Sequence, residues 1–237
     1  EYSAGMMITS GSIAKSGYNL PAPIAILSCI YEGAILPFDK ALTVESKYFA
    51  KLLTSPVSRN IIRTTFLSKG AAERGAGRPA GVPKTEFKKI GILGAGMMGA
   101  GIALVSAQAG VDVILIDRDV ESATKGKAYS ETVLGKQITR GTMTQDKADA
   151  ILARITPTDD FALLEGCDLI IEAVFENMDL KHRITKATES RLAADGVWGS
   201  NTSTLPITQL AQASSKPENF IGIHFFSPVD KMLLVEI

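Results

Sequence analysis

The sequence predicts an α/β fold: a doubly wound, mostly parallel sheet, preceded by a helical segment and a linker. Three observations predict it. Short apolar runs such as Ile90–Leu93, Val111–Ile116 and Asp168–Val174 alternate with helical patterns, and strands interleaved with helices pair in parallel. Between the first of those runs and a helix stand Gly94, Gly96 and Gly99, in the spacing G-x-G-x-x-G. Asp117 closes the second run, at the distance of about twenty residues that completes a dinucleotide-binding turn.

The residues of that turn have separable roles. Gly94 allows the tight turn, Gly96 lets a pyrophosphate approach the backbone, and Gly99 lets the helix press close to the strand. The helix reads from Met97 to Ala109, with Gly110 as its stop. Its first turn, Met97 and Met98 included, offers unpaired N–H groups and a positive dipole end to phosphates. Asp117 would accept hydrogen bonds from ribose hydroxyls and repel a 2′-phosphate, so NAD is expected rather than NADP. Arg118 beside it weakens that preference. Residues 88–237 therefore read as a Rossmann-type nucleotide domain.

The whole chain is consistent with that reading. It has 237 residues, 46% of them apolar, enough for one large domain plus a piece. Twenty-five basic and 25 acidic residues cancel, so no net field recommends nucleic acid or an anionic membrane as partner. Cys29 and Cys167 lie far apart in apolar runs, without metal spacing, and read as buried thiols of a reducing compartment. No apolar run reaches the length of a membrane span. Glu1 opens no signal-peptide pattern, and the chain is expected to begin and end inside a longer polypeptide.

In order, residues 1–20 show no clear period. Pro21 and Pro23 open a helix with Ile24, Leu27 and Ile30 on one face. Asp39 is the expected N-cap of a second helix running to about Leu53. Ser55-Pro56 reads as cap and first residue of a third, which Gly70 ends. Residues 71–87, AAERGAGRPAGVPKTEF, read as a linker. Beyond Asp117, residues 119–154 suggest two helices broken at Gly141-Thr142, an insertion in the sheet whose basic face is read as solvated. The sheet resumes with Arg154–Thr156, Asp168–Val174, a helix over Leu180–Ala194, Val197–Ser200, a short helix over Pro206–Gln212, and the strands Phe220–Phe226 and Met232–Ile237. The ligand is expected over the carboxyl ends of the strands, near Gly94–Gly99, Asp117, Ala173–Asn177 and Asn201–Ser203.

A nicotinamide enzyme needs a group that exchanges a proton with the substrate hydroxyl. His182 follows Lys181 early in a polar helix and reads as a surface residue. His224 lies in FIGIHFFSPVDKMLLVEI. A turn over Ser227–Lys231 with antiparallel pairing centred on Asp230 would set His224 opposite Glu236. A carboxylate there would hold the imidazole in one tautomer and favour its protonated form. Asn201 and Ser203 follow a strand and would reach a substrate oxygen; a helix cap is the structural alternative for Ser203.

At these residues the sequence resembles the 3-hydroxyacyl-CoA dehydrogenase family. More narrowly, it is similar to the middle of multifunctional fatty-acid β-oxidation enzymes, in which an enoyl-CoA hydratase/isomerase (crotonase) domain precedes the dehydrogenase. KIGILGAGMMGAGIA, DLIIEAVFENMDLK, SNTSTLPIT and FIGIHFFSPVDKMLLVEI carry the resemblance, which covers nearly the whole chain. It implies His224 as general acid/base, Glu236 as its partner and Ser203 as a substrate contact. It also implies Asp117, Ala173, Glu176, Lys181 and Ser203 around NAD, and places Ser130 and Lys136 near a CoA-contacting helix. Position 227, often Asn in relatives, is Ser here. Residues 1–70 resemble the terminal helices of the crotonase part and 71–87 the connector, with hydratase residues expected upstream and a helical dehydrogenase domain downstream. An acyl-CoA substrate, a homo-oligomer or a complex with a thiolase, and a bacterial cytoplasmic location (peroxisomal or mitochondrial in a eukaryote) follow from the same resemblance.

The expected reaction is NAD-dependent oxidation of (S)-3-hydroxyacyl-CoA to 3-oxoacyl-CoA. The competing expectations are an NAD-binding module without turnover and a different Rossmann hydroxyacid dehydrogenase, such as a 3-hydroxyisobutyrate type. A substrate panel with and without CoA separates the two enzymes.

Overall fold

Apolar runs without polar alternation need cover on both faces, and in the computed structural model of the chain they have it. The structure describes residues 19–237, together with Gly11 and Ala14; the unpatterned stretch read over residues 1–20 lies almost wholly outside them. The chain divides into two compact units, residues 1–84 and 85–237.

In the first unit α1 (Pro21–Gly33), α2 (Phe38–Leu53) and α3 (Pro56–Ile61) follow one another, and α3 continues through a π-helical stretch, Ile62–Ser68, into α4 (Lys69–Glu73). No strand forms among the described residues before Lys89. Ser55 caps α3, its hydroxyl accepting from the Ser58 N–H at 3.1 Å. Asp39 does not cap α2. The helix begins one residue earlier, and the Pro37 carbonyl accepts from the Lys40 and Ala41 amides at 2.9 and 3.0 Å. Asp39 instead sets its charge in the first turn, against the positive dipole end. Gly70 does not end a helix either. It lies within α4, and the stop is Gly75, at φ +71°, where the Gly75 and Ala76 amides close back on the Ala72 and Ala71 carbonyls. From Arg74 to Lys88 no regular element forms.

The second unit holds one six-stranded sheet in the order β3-β2-β1-β4-β5-β6, every pair parallel. The strands are β1 (Lys89–Leu93), β2 (Asp112–Ile116), β3 (Ile155–Thr158), β4 (Cys167–Glu172), β5 (Leu192–Ser200) and β6 (Phe220–Gly222). Helices α5 (Met97–Gln108), α6 (Val120–Thr139) and α7 (Gln145–Ala153) cover one face, where Ile90, Ile92, Val113 and Leu115 meet Ile102, Leu104, Leu134 and Ile151. On the other face Leu93, Ile116 and Ile170 pack with Leu164, Cys167 and Trp198. Alternate residues of one strand thus enter opposite cores. The chain reverses direction of winding at β1, between β2 and β4, and a crevice opens there above the carboxyl ends.

Several boundaries differ from the sequence reading, among them the strand expected over Met232–Ile237, which pairs only at Val235–Glu236. The helix expected over Leu180–Ala194 is α8 (Met178–Thr188), begun by Asn177, whose side chain accepts from the Leu180 N–H at 2.9 Å. It stops early because Leu192–Ala194 join β5, Leu192 lying beside Cys167. The short helix after Pro206 is a single turn, α9 (Ile207–Leu210). The strand expected over Phe220–Phe226 breaks in two. Ile223 makes the last bond to β5, its N–H donating to the Ser200 carbonyl at 2.9 Å. The chain then leaves the sheet as β7 (His224–Phe225), which pairs antiparallel with β8 (Val235–Glu236).

The turn between β7 and β8 is anchored rather than loose. Val229 is buried, and a Cβ at Gly101 of α5 would stand 2.8 Å from the Val229 Cβ. The Tyr129 hydroxyl, on α6, donates to Asp230 at 2.7 Å.

Candidate active site

The crevice above β1 and β4 has a volume of about 640 Å³, within the ~300–1,000 Å³ usual for ligand sites. Gly94, Gly96, Met97, Met98, Asp117 and Ala173 line it. Gly94 has a φ of +96°, and a Cβ there would lie 2.6 Å from the Ala173 carbonyl oxygen. A Cβ at Gly99 would lie 1.7 Å from the Gly94 carbonyl oxygen, so that residue is what lets α5 sit on the turn. At Gly96 a Cβ would meet nothing within 4 Å. Gly96 begins α5 with no side-chain cap, leaving the first-turn amides to an acceptor from outside the helix. Asp117 holds the turn from the next strand, accepting from the Ala95 and Arg118 N–H groups at 2.7 Å each. Each carboxylate oxygen keeps a further lone pair. An open backbone cradle, a capless helix start and a carboxylate beside them fit the diphosphate and ribose of NAD.

The second half of the site lies at the ends of β4 and β5 and on the β7–β8 ribbon. His224 pairs opposite Glu236, the register expected from a turn centred on Asp230. The His224 Nδ1 lies 2.8 Å from Glu236 Oε2, and its Nε2 lies 3.2 Å from Ser203 Oγ. With the carboxylate able only to accept, Nδ1 carries the proton and Nε2 is left to accept one.

Behind Ser203 stands a charged network that the sequence reading did not assemble. Glu172 ends β4 with its side chain only 1% exposed, and Lys181 on α8 is equally buried. The Lys181 ammonium donates to Glu172 Oε1 at 2.5 Å and lies 3.2 Å from Glu176 Oε2. Glu176 Oε1 accepts from the Thr202 hydroxyl, the Ser203 N–H at 3.1 Å and the Thr204 N–H at 3.3 Å. Burial opposes ionisation of Glu176, but the Thr202 hydroxyl, the Lys181 charge and the Thr204 amide outweigh it and hold its carboxyl at about 2.

Several expected contacts resolve differently. Lys181 does not line the crevice; its ammonium is spent on Glu172 and Glu176. The Asn201 side-chain oxygen accepts from the Phe225 N–H at 2.8 Å and so anchors the start of the ribbon. Ser130 cannot touch CoA: it is fully buried, one helical turn before Leu134 on the core face of α6. Lys136 is exposed on the last turn of α6, roughly 24 Å along the axis from Val120 at about 1.5 Å per residue. Ser227 donates to the Met97 sulfur at 3.6 Å. His182 bonds the Gln209 carbonyl at 3.0 Å, outside the site. Sequence reasoning missed Glu172, Ser200 and Thr202. The available signal was a carboxylate inside an apolar strand, DLIIEAV, which cannot be buried unpaired.

Serine, histidine and glutamate in one chain of hydrogen bonds also describe a hydrolytic triad. The backbone N–H groups of Ser203 and Thr204, where an oxyanion would need donors, already face the Glu176 carboxylate. The arrangement suits proton exchange at Nε2 and not acyl transfer to Ser203. Among the described residues no group of three or more His, Cys, Asp or Glu could hold a metal ion, and no helix is long and apolar enough to cross a membrane.

Comparison with known proteins bears on the family and the fold. Residues 89–237 match the family model "3-hydroxyacyl-CoA dehydrogenase, NAD binding domain". A fatty acid oxidation complex subunit alpha from Shewanella sp. strain W3-18-1 is 38% identical over 224 residues, 94% of this chain and 31% of that protein. The chain thus spans about a third of the length of the curated relatives it matches. The crystal structure of M. tuberculosis FadB2 is 36% identical with a TM-score of 0.61, covering 64% of this chain and 53% of that one. That of the (S)-3-hydroxybutyryl-CoA dehydrogenase PaaH1 from Ralstonia eutropha is 37% identical with a TM-score of 0.61, covering 63% and 53%.

Proposed function

This chain belongs to the 3-hydroxyacyl-CoA dehydrogenase family and carries its NAD-binding domain, and on that premise we propose that it serves the NAD-dependent oxidation of (S)-3-hydroxyacyl-CoA to 3-oxoacyl-CoA in fatty-acid β-oxidation. One observation carries the proposal: an imidazole whose free nitrogen, His224 Nε2, lies beside the Ser203 hydroxyl while its other nitrogen is held by Glu236. His224 Nε2 accepts the proton of the substrate hydroxyl. Ser203 Oγ holds that oxygen in place, and Glu236 stabilises the imidazolium that forms. Gly96 and the first amides of α5 would hold the diphosphate of NAD, and Asp117 the adenosine ribose. The bound nicotinamide would supply the acceptor for the hydride that leaves the carbinol carbon.

The curated relative matches 94% of this chain, most of the helical unit included. That supports reading residues 1–70 as the helical end of a crotonase-like domain and 71–87 as its connector. The relatives are bacterial, which supports a bacterial cytoplasmic setting; assembly with a thiolase or a second copy belongs to the same proposal.

The test is NADH titration by fluorescence beside acetoacetyl-CoA-dependent NADH oxidation. His224→Gln is expected to cut turnover by about 10²–10⁴-fold while NADH affinity stays nearly unchanged. Equal losses in both would remove His224 from the chemistry. The second reading, a module that binds NAD without turnover, draws on the open face of the site: the Glu236 side chain is 61% exposed. NADH binding without acetoacetyl-CoA-dependent oxidation by the wild-type chain selects it.

A further inference from the structure

The Glu172 carboxylate is among the most buried polar groups of the molecule, and the proton transfer proposed above makes no use of it. Two arms run from it to one loop, Asn201–Thr204. Through the first, Glu172 Oε2 accepts from the Ser200 hydroxyl at 2.9 Å, and Ser200 Oγ accepts from the Thr202 N–H at 3.3 Å. Through the second, Glu172 Oε1 holds the Lys181 ammonium, which faces Glu176, which gathers the Thr202, Ser203 and Thr204 donors. Glu172 also fixes its own chain: Oε1 accepts from the Val174 N–H at 3.0 Å. Both arms end on the backbone that carries Ser203. No other polar contact reaches that loop from β4, save the Asn201 N–H donating to the Glu172 carbonyl at 2.8 Å.

We propose that Glu172 is a positioning residue which, through the Ser200–Thr202 and Lys181–Glu176 arms, sets the Ser203 hydroxyl against His224 Nε2. The role rests on the dehydrogenase reading for its purpose, but the relay itself is a statement about geometry and is measurable without turnover. Burying a carboxylate and an ammonium is costly unless every lone pair and proton is engaged. Here the engagement is directed at one loop, and a misplacement of about 1 Å is enough to disable a reacting group.

The experiment uses the whole chain labelled with ¹⁵N-histidine, without ligand, and follows the His224 Nε2 resonance. Ser203→Ala gives the reference displacement for a lost hydroxyl contact. Glu172→Gln keeps the side-chain shape and removes the charge, and is expected to produce most of that displacement. Glu172→Gln added to Ser203→Ala is expected to move the resonance little further, the signature of one residue acting through the other. Ser200→Ala cuts only the first arm and is expected to give a smaller displacement in the same direction; it stands in should Glu172→Gln not fold. A wild-type resonance position in these variants, with Ser203→Ala displaced, overturns the proposal, as does full additivity in the double variant. Turnover that survives His224→Gln overturns the dehydrogenase role of His224 instead, and leaves the measured relay intact.

Discussion

The two halves of the crevice are built from different materials. At the end of β1 the site is made of backbone and of missing side chains: Gly96 leaves open space, Gly99 admits the helix, and one carboxylate, Asp117, braces the turn. At the ends of β4 and β5 it is made of charged and hydroxyl side chains, Glu172, Lys181, Glu176, Ser200 and Thr202, joined by hydrogen bonds and ion pairs. The contrast teaches where each half is vulnerable. A cradle of amides fails when something is added. A buried network fails when something is taken away.

The strongest way to break that contrast is to remove one charge from the network. Lys181→Met leaves Glu172 buried without its cation, and unit 85–237 is expected to lose about 3–5 kcal/mol of stability in urea unfolding. An unchanged midpoint would mean that the network does not hold this half together. Adding one methyl to the cradle is the converse experiment. Gly99→Ala sets a Cβ 1.7 Å from the Gly94 carbonyl oxygen, so the turn must open, at an expected cost of about 1–3 kcal/mol. NADH affinity should fall further than stability does, while the His224 resonance stays where it was; intact NADH binding would show that the glycine is not setting the turn.

The smallest effect is one of pH. Glu176 ionises at about 2 in the fold against an ordinary value of 4.5. A depressed carboxylate stabilises the fold fully above its unfolded value and loses that contribution as pH falls towards the folded one. Thermal melts should therefore show the wild-type advantage over Glu176→Gln complete above pH 4.5 and fading between 4.5 and about 2. The Glu176 side chain is partly exposed, so solvent keeps the difference small. An advantage that grows on acidification would contradict the assignment.

The same contrast explains what was legible in the sequence. The glycine cradle depends on spacing along one short stretch, so Gly94, Gly96, Gly99 and Asp117 could be read directly. The His224–Glu236 pair was legible because a hairpin register is arithmetic about its turn. The network was not, since its members lie on β4, α8, β5 and the loops after the two strands, and meet only after the sheet has aligned its strand ends. For that reason Lys181 read as a cofactor contact, when its ammonium is engaged inside the protein. Ser130 shows a related limit: its place on the buried face of α6 depends on which stripe of a polar helix the sheet claims. In the helical unit the opening of α1 at Pro21 and the end of α2 at Leu53 were readable, but the start of α2 and the stop of the last helix were not. Pro37 began a helix ahead of the expected Asp39, and a π-helical stretch carried the chain past Gly70.

The seat of Val229 against Gly101 has a mechanical consequence. The helix that opens on the glycine turn also carries, just over one turn along, the socket for the loop that suspends the imidazole. Tyr129 pins the same loop from α6. The spacing between the nucleotide cradle and the proton acceptor is thereby gauged across a single rigid rod instead of being left to a flexible tether, and catalytic alignment becomes as stiff as the helix itself.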